Sequence, residues 1–172
     1  IGSSLVGSEM CIRDRVNQVH GTDCLVVDQS YKGFSDADAL VTKEKGVSLG
    51  IITADCAPVL LDGKSDDGCS VIGAVHAGWR GAFSGVCENT VQAMQSIGCQ
   101  KETITVRVGP CIQQESYEVS EDFYKKFIVQ TEKNDAFFER QGEKNNLYFD
   151  LSGYIQDRFL CNGLESVFVD GR

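Results

Sequence analysis

The stretch SVIGAVHAGWRG, at Ser70–Gly81, predicts the strand-to-helix unit at the centre of the fold. An apolar run ends in His76, two small residues make a turn, and Trp79 opens a segment with helical spacing. A buried strand that holds a histidine at its carboxyl end, beside the free N–H groups of a helix, is a common way for an α/β unit to build a site. Gly78 permits a close approach where a Cβ would clash. The plainer interpretation is a tight strand-to-helix turn with a packed Trp79 and a surface Arg80.

The composition indicates one globular domain. The chain has 172 residues, which is enough to bury a sizeable core. Its formal net charge of −9 and pI of about 4.7 argue against nucleic acid and anionic membranes as main partners, so any positive site is local. No apolar run reaches the roughly 18 residues that a membrane-spanning helix needs, so we expect no membrane partner.

The eight cysteines predict free thiols. None forms a CxxC pair, which excludes a zinc ribbon and a thioredoxin-type motif. Cys69, Cys87 and Cys161 lie in apolar runs, which suits buried thiols in a reducing compartment. We therefore predict a cytoplasmic protein.

The start of the chain divides into a leader and two short strands. Residues 1–15 match no helix or strand period and resemble a non-native leader, with an irregular terminus as the alternative, so we expect the domain to comprise residues 16–172. Alternation at Val16–His20 predicts a strand that ends in His20, and Cys24–Asp28 predicts a second strand. With a turn between them, these strands are expected to form a hairpin.

A continuous apolar run at Val47–Thr53 predicts a strand that is covered on both faces. It leads into Asp55 and Cys56, where Pro58 is expected to interrupt the ladder, so both residues are predicted at a kink or bulge. The plainer interpretation makes Cys56 a small buried apolar residue and Asp55 an acceptor for a neighbouring backbone N–H.

Helical spacing at Trp79–Ile97, with Gly98 as its C-cap, predicts one long helix after the central strand. Later segments predict helices at Glu121–Gln130 and Leu151–Cys161 and a final strand at Ser166–Val169. Hairpin-like strand pairs followed by helix–strand alternation predict an α+β fold, a single domain with a mixed, partly antiparallel sheet and packed helices.

Three potential metal ligands, His20, Cys56 and His76, fall at ends or kinks of predicted strands. Neighbouring strands can bring such ends together. Two imidazoles and a thiolate are good zinc ligands, and a set of three leaves a fourth position for water or substrate, as in catalytic zinc sites. The spacing is too long for a local motif, so a hydrogen-bonded histidine and a packed cysteine remain the alternatives at this point.

Four segments resemble, in order, those of the YfiH-like family, which has also been called multicopper polyphenol oxidase, laccase-like protein and peptidoglycan-editing factor. They are VNQVHG (16–21), TADCAPVLL (53–61), VHAGWRG (75–81) and VGPCI with the following YEV (108–112 and 117–119). The resemblance covers the chain from residue 16 to residue 172. It implies the fold of that family and a catalytic zinc bound by His20, Cys56 and His76.

The resemblance also implies an enzyme of purine nucleosides. Members of the family are described as cleaving adenosine, inosine, guanosine and S-methyl-5′-thioadenosine with phosphate, and as deaminating adenosine. Water activated at zinc would attack C6 of adenine, and phosphate would attack the ribose C1′ while the purine leaves as a stabilised anion. We expect Arg80 and the N–H groups after Gly78 to hold phosphate, and Asp55 to act as a general base or as the partner of a histidine.

Other functions stay open beside this one. Chains of the family are longer at both ends, so we expect an incomplete domain, truncated at both ends. A copper-dependent polyphenol oxidase would hold Cu²⁺ in place of Zn²⁺, but multicopper sites need many histidines and this chain has two. An editing factor for peptidoglycan precursors would use zinc for substrate recognition. A cysteine hydrolase would use Cys56 or Cys111 as its nucleophile.

Overall fold

The described part of the chain folds into a mixed sheet of six strands and a smaller sheet of three strands, with helices packed on them. The structure is a computed structural model that describes residues 16–31, 33 and 35–170. In chain order, the strands and helices are β1 (Cys24–Val26), β2 (Ala39–Thr42), β3 (Ala57–Ser65), β4 (Ser70–Ala77), α1 (Trp79–Ser84), α2 (Val86–Ser96), β5 (Cys99–Val108), β6 (Glu118–Val119), α3 (Glu121–Gln130), β7 (Phe138–Gln141), β8 (Asn146–Phe149), α4 (Leu151–Cys161) and β9 (Ser166–Val169). Short 3₁₀ helices at Gln114–Ser116 and Glu132–Phe137 precede β6 and β7.

The large sheet has the strand order β1-β2-β4-β3-β5-β9, and the small sheet has the order β6-β8-β7. Strands β2, β4, β3 and β5 pair antiparallel with their neighbours, whereas the β1–β2 and β5–β9 pairs are parallel. Strand β4 therefore has a partner along each edge, and most of its side chains on both faces are buried, which explains why its sequence is apolar almost throughout. The predicted α+β fold with a mixed, partly antiparallel sheet is confirmed.

The core lies between the large sheet and the helices. Helices α2 and α4 bury Val91, Met94 and Phe159 against sheet residues such as Val75 and Val106. This interior supplies most of the hydrophobic stabilisation of the fold. Among the described residues, no helix has both the length and the apolar character needed to cross a bilayer.

Helix α3 packs against the rest of the protein through a cluster of aromatic side chains. Its Phe127 is fully buried and contacts the rings of Trp79, Phe123 and Phe149. The hydroxyl of Ser120 accepts a hydrogen bond from the Phe123 N–H at 3.2 Å, so Ser120 caps this helix. The helix predicted at 121–130, the helix predicted at 151–161 and the final strand at 166–169 all have the bounds that the sequence predicted.

The predicted N-terminal hairpin is wrong. Within Val16–His20, Asn17 makes an isolated parallel bridge with Asp36, and β1 pairs in parallel with β2 rather than with this segment. The physical reason is a backbone bond after the turn: the Asp23 carbonyl accepts from the Asp38 N–H at 3.0 Å. That bond directs the chain alongside β2. The predicted leader, residues 1–15, lies outside the described residues.

The strand predicted at Val47–Thr53 is also wrong. These residues form a loop in which Leu49 alone has bridge geometry. The side-chain amide of Gln18 holds the loop, because its oxygen accepts from the Ile52 N–H at 2.8 Å and its nitrogen donates to the Ile52 carbonyl at 2.7 Å. One side chain thus makes the two hydrogen bonds that a neighbouring strand would otherwise provide.

Two further expectations around the central strand need correction. The long helix predicted at Trp79–Ile97 is split at Gly85, whose φ of +111° ends α1 and starts α2 in a left-handed conformation that glycine adopts freely. Pro58 does not interrupt the ladder: it lies inside β3 opposite His76, where pairing with β5 has not yet begun. Asp55 and Cys56 lie in a bend just before β3, so the predicted kink is present.

The described cysteines are free thiols, as predicted. Cys87 is buried, but Cys69 is only partly buried and Cys161 is exposed, so the burial prediction is wrong for these two. Cys161 is the last residue of α4, where the helix leaves the core.

Candidate metal centre

Three side chains converge at one end of the large sheet. The ligating atoms of His20, Cys56 and His76 all lie within 4.8 Å of one another. Cys56 Sγ is 3.8 Å from His20 Nε2, and the two imidazole rings meet edge to face with centroids 4.7 Å apart. Ligand atoms around a tetrahedral zinc are roughly 3.5 Å apart, so small side-chain movements bring all three within bonding distance of one ion.

Strand β4 places His76, which is 4% exposed. The imidazole Nδ1 is 2.8 Å from Asp38 Oδ1, and both side chains are buried. The backbone N–H of His76 also donates to the Asp38 carbonyl at 2.7 Å. Because Nδ1 is occupied by the carboxylate, Nε2 is the nitrogen that remains for a metal.

His20 comes from a loop and has a left-handed backbone with a φ of +58°. The Asp38 carboxylate accepts from three successive backbone N–H groups there, those of Val19 at 3.2 Å, His20 at 3.0 Å and Gly21 at 2.6 Å. These bonds hold the loop in a conformation that a residue with a Cβ rarely adopts. The imidazole is thereby directed toward the other two ligands.

Gly78 makes room for the cluster. A Cβ at this position would lie 2.8 Å from Cys56 Sγ and 3.1 Å from His20 Cδ2. The φ of Gly78 is −76°, so close packing and not backbone strain requires glycine here.

The pKa of the Cys56 thiol depends on its burial and on two nearby carboxylates. Burial raises the pKa of Cys56, and the negative charges of Asp55 and Asp38 raise it further. A bound cation acts in the opposite direction, because metals bind the thiolate. Burial also raises the pKa of Tyr117 to about 12, with smaller contributions from Cys56 and Asp55, so Tyr117 lies within electrostatic reach of the cluster.

The cluster opens into a pocket with a volume of about 570 Å³. Small-molecule sites in proteins have volumes of roughly 300–1,000 Å³, so this pocket is of suitable size. One wall consists of residues 52–56, the end of the loop that Gln18 holds. All three candidate ligands line the pocket.

The other candidate residues from the sequence are placed differently. Asp55 is exposed and lines the pocket beside Cys56. The carboxylate that bonds to His76 is Asp38, so Asp38 takes the histidine-partner role considered for Asp55. Taken over the described residues, the pocket lining includes neither Gly78 nor Arg80.

Arg80 lies on the surface against an aromatic ring. Its guanidinium carbon is 5.5 Å from the centroid of the Trp79 ring, and Lys126 Nζ is 5.1 Å from the same centroid. Two cations therefore flank one indole in a chain whose net charge is −9.

Asp38 is the residue that sequence reasoning missed. It lies between Ala37 and Ala39 in a segment that is buried throughout. A charged residue inside an apolar segment indicates a buried carboxylate, and a buried carboxylate needs hydrogen-bond donors. The spacing of residues in the sequence does not show which groups are those donors.

The donor set fits a divalent cation. The Cys56 thiolate and the Asp38 carboxylate bring two negative charges, and the pocket side leaves a fourth coordination position open. A blue-copper site has the same types of ligand, two histidines and one cysteine, together with a weak methionine ligand. Met94, the methionine within the described part of the chain, is buried in α2 as part of the core.

Fold and site together define an α+β protein with three converging side chains, His20, Cys56 and His76, that could hold a metal ion at an open pocket. The sequence model of the family described as Multi-copper polyphenol oxidoreductase laccase matches residues 5–172. The chain belongs to this family, which includes the YfiH-like proteins.

Curated relatives carry a different functional name, purine nucleoside phosphorylase. One from Rickettsia conorii is 36% identical over 152 residues, which cover 88% of this chain and 61% of the relative. One from Deinococcus radiodurans is 40% identical over 158 residues, which cover 92% of this chain and 59% of the relative. The chain thus spans about three fifths of the length of these relatives.

Solved structures share the fold. A Neisseria meningitidis protein of the DUF152 family superposes with a TM-score of 0.79 at 29% identity, over 92% of this chain and 63% of that chain. YlmD from Geobacillus stearothermophilus superposes with a TM-score of 0.78 at 25% identity, over 94% of this chain and 63% of that chain.

Replacement of Gly78 by alanine is expected to weaken metal binding while the sheet stays folded. The added Cβ would lie 2.8 Å from Cys56 Sγ and push the thiol away from the histidines. We expect a loss of zinc affinity of about tenfold or more, measured by competition with a chelator. The control is Gly73→Ala in β4, whose Cβ would meet side chains of Leu61 and Val41 at 3.4 Å. Equal zinc affinities of the two variants would contradict the packing role of Gly78.

Proposed function

We propose that this chain carries the zinc centre of a purine nucleoside phosphorylase that also deaminates adenosine. The proposed substrates are adenosine, inosine, guanosine and S-methyl-5′-thioadenosine, together with phosphate for the phosphorolytic reaction. The observation that carries the proposal is the cluster of His20, Cys56 and His76 in the lining of an open pocket. The names of the curated relatives support the substrate class. Free thiols support a reducing cytoplasm as the compartment.

Zinc, when bound, would supply a Lewis acid and a means of activating water near neutral pH. The protein contributes the three ligands and the orientation of the His76 ring, which Asp38 holds through Nδ1. Ile52 in the pocket wall is 65% exposed, which offers an apolar surface against which a purine can pack.

Phosphorolysis requires a phosphate oxygen to bond to the ribose C1′ while the C1′–N9 bond breaks and its electron pair leaves with the purine. We assign the phosphate to Arg80 and to the backbone beyond Gly78, which lie outside the pocket lining but directly follow the strand that carries His76. The guanidinium of Arg80 brings a local positive charge, reinforced by Lys126 on the same ring. Asp55, exposed at the pocket beside Cys56, is the proposed general base for water or phosphate.

The alternative functions have weaker support. A multicopper oxidase needs more histidines than the two in this chain, although the family description names that activity. A hydrolase with Cys56 as nucleophile needs a lowered thiol pKa, whereas burial and the nearby acids raise it. An editing factor for peptidoglycan precursors would use the same zinc site but would leave free nucleosides unchanged.

Elemental analysis of the purified chain is expected to find about one zinc per chain, because three ligands and an open position form a catalytic zinc site. Cys56→Ala should lose this zinc. The control Cys161→Ala changes an exposed cysteine at the end of α4 and should retain it. A folded chain without zinc, or a Cys56→Ala variant that keeps it, would refute the metal assignment. Copper in place of zinc would favour the oxidase.

Removal of the Arg80 guanidinium is expected to affect phosphate selectively. We expect Arg80→Ala to raise the KM for phosphate about tenfold or more, the effect of losing a hydrogen bond to a charged group. Adenosine deamination uses no phosphate and should continue at the original rate. Arg107→Ala, which removes an exposed arginine packed on Phe168, is the control. An unchanged KM for phosphate in Arg80→Ala rules out the assignment.

The proposed general base is tested by Asp55→Asn. This variant is expected to keep its zinc while kcat falls roughly a hundredfold or more, because proton transfer is lost and the ligands are unchanged. Asp62→Asn, an exposed change on β3, serves as the control. Full turnover in Asp55→Asn would remove Asp55 from the mechanism.

A further inference from the structure

Each of the two carboxylate oxygens of Asp38 contacts two nitrogen atoms. Oδ1 is 2.8 Å from His76 Nδ1 and accepts from the His20 N–H at 3.0 Å. Oδ2 accepts from the N–H groups of Val19 at 3.2 Å and Gly21 at 2.6 Å. The residue is fully buried, so these four donors satisfy the roughly four acceptor positions that a carboxylate offers.

We propose that Asp38 is the positioning residue of the metal centre, which holds both histidine ligands in their metal-binding arrangement before any metal arrives. This inference rests on the metal centre proposed above. In this proposal, the Asp38 side chain sets both the tautomer of His76 and the backbone conformation of His20.

On the His76 side, the carboxylate selects a tautomer. An oxygen that accepts from Nδ1 requires the proton of the neutral ring to be on Nδ1, which leaves the Nε2 lone pair free. The backbone fixes the position of the carboxylate in turn, because the Asp38 carbonyl accepts from the His76 N–H at 2.7 Å. Side chain and main chain of Asp38 therefore contact the same strand residue.

On the His20 side, the carboxylate holds a turn. Three successive N–H groups point toward it, the arrangement of an anion-binding nest, and the central residue is His20 with its φ of +58°. Without the carboxylate, these donors would lose the acceptor that favours the left-handed conformation. The imidazole of His20 would then no longer be directed toward Cys56.

The bonding pattern requires two acceptor oxygens. An asparagine at position 38 has one acceptor oxygen and one donor nitrogen, and either orientation places its NH₂ group against two donors. Asp38→Asn is therefore expected to break two of the four contacts although its shape is nearly unchanged. This makes it a sharper test than a truncation.

The experiment compares the wild-type chain with Asp38→Asn and with the control Asp23→Asn, an exposed residue that bonds to Asp38 through its backbone carbonyl. Zinc affinity is measured by chelator competition, and Co²⁺ replaces zinc so that its absorption spectrum reports ligand geometry. We expect Asp38→Asn to bind zinc about 10–100-fold more weakly and to change the cobalt spectrum, and the control to match the wild type. A folded Asp38→Asn with wild-type affinity and spectrum would overturn the proposal.

A second measurement needs no variant and decides the question if Asp38→Asn does not fold. Histidine-labelled NMR of the metal-free wild-type chain, at a pH where His76 is neutral, reads its tautomer directly. A proton on Nδ1 supports the proposal, and a proton on Nε2 overturns it. If the wild-type chain binds no zinc, the proposed function fails, and the tautomer still reports separately whether Asp38 holds His76.

Discussion

The buried carboxylate of Asp38 is the constraint on which the arrangement of the site depends. A carboxylate removed from water is costly unless hydrogen bonds replace its hydration. Here the donors come from two parts of the chain, the imidazole of His76 on β4 and the N–H groups of residues 19–21 before β1. The loop before β1 cannot leave the sheet without exposing that carboxylate or leaving it unpaired. The contact therefore ties the irregular segment before β1 to the central strand β4.

The HAGWRG segment shows how this contact is accommodated. His76 supplies an imidazole, and Gly78 leaves the space that Cys56 and His20 fill. Trp79 joins the aromatic cluster around α3, which anchors the start of α1 in the core. A Cβ at Gly81 would lie 2.9 Å from the carbonyl of residue 21, so the His20 turn packs directly on the helix backbone. Both glycines are thus explained by close approach between segments, independently of any phosphate.

The family description and the names of the curated relatives indicate different chemistries, a multicopper oxidase and a purine nucleoside phosphorylase. The donor set distinguishes between them on physical grounds. Two imidazoles and one thiolate around one open position favour a single catalytic ion, and the two histidines of this chain are too few for a multicopper cluster. Two imidazoles and a thiolate with a fourth position open are the ligand arrangement of a catalytic zinc site, which is why zinc enters the proposed function.

The α+β class, the central strand and the bounds of α3, α4 and β9 follow from the sequence pattern, whereas the three candidate ligands were implied by the family resemblance. Local periodicity and capping encode the helix and strand bounds within a few residues, but they do not encode the approach of ligands at positions 20, 56 and 76. Tertiary structure alone decided the parallel pairing of β1, the loop at 47–53 that Gln18 holds, and the role of Asp38. Each of these depends on a hydrogen bond between residues at least 15 positions apart in the chain. Periodicity reports which residues are buried, but it does not report which buried donor meets which acceptor, because the folded backbone sets that pairing.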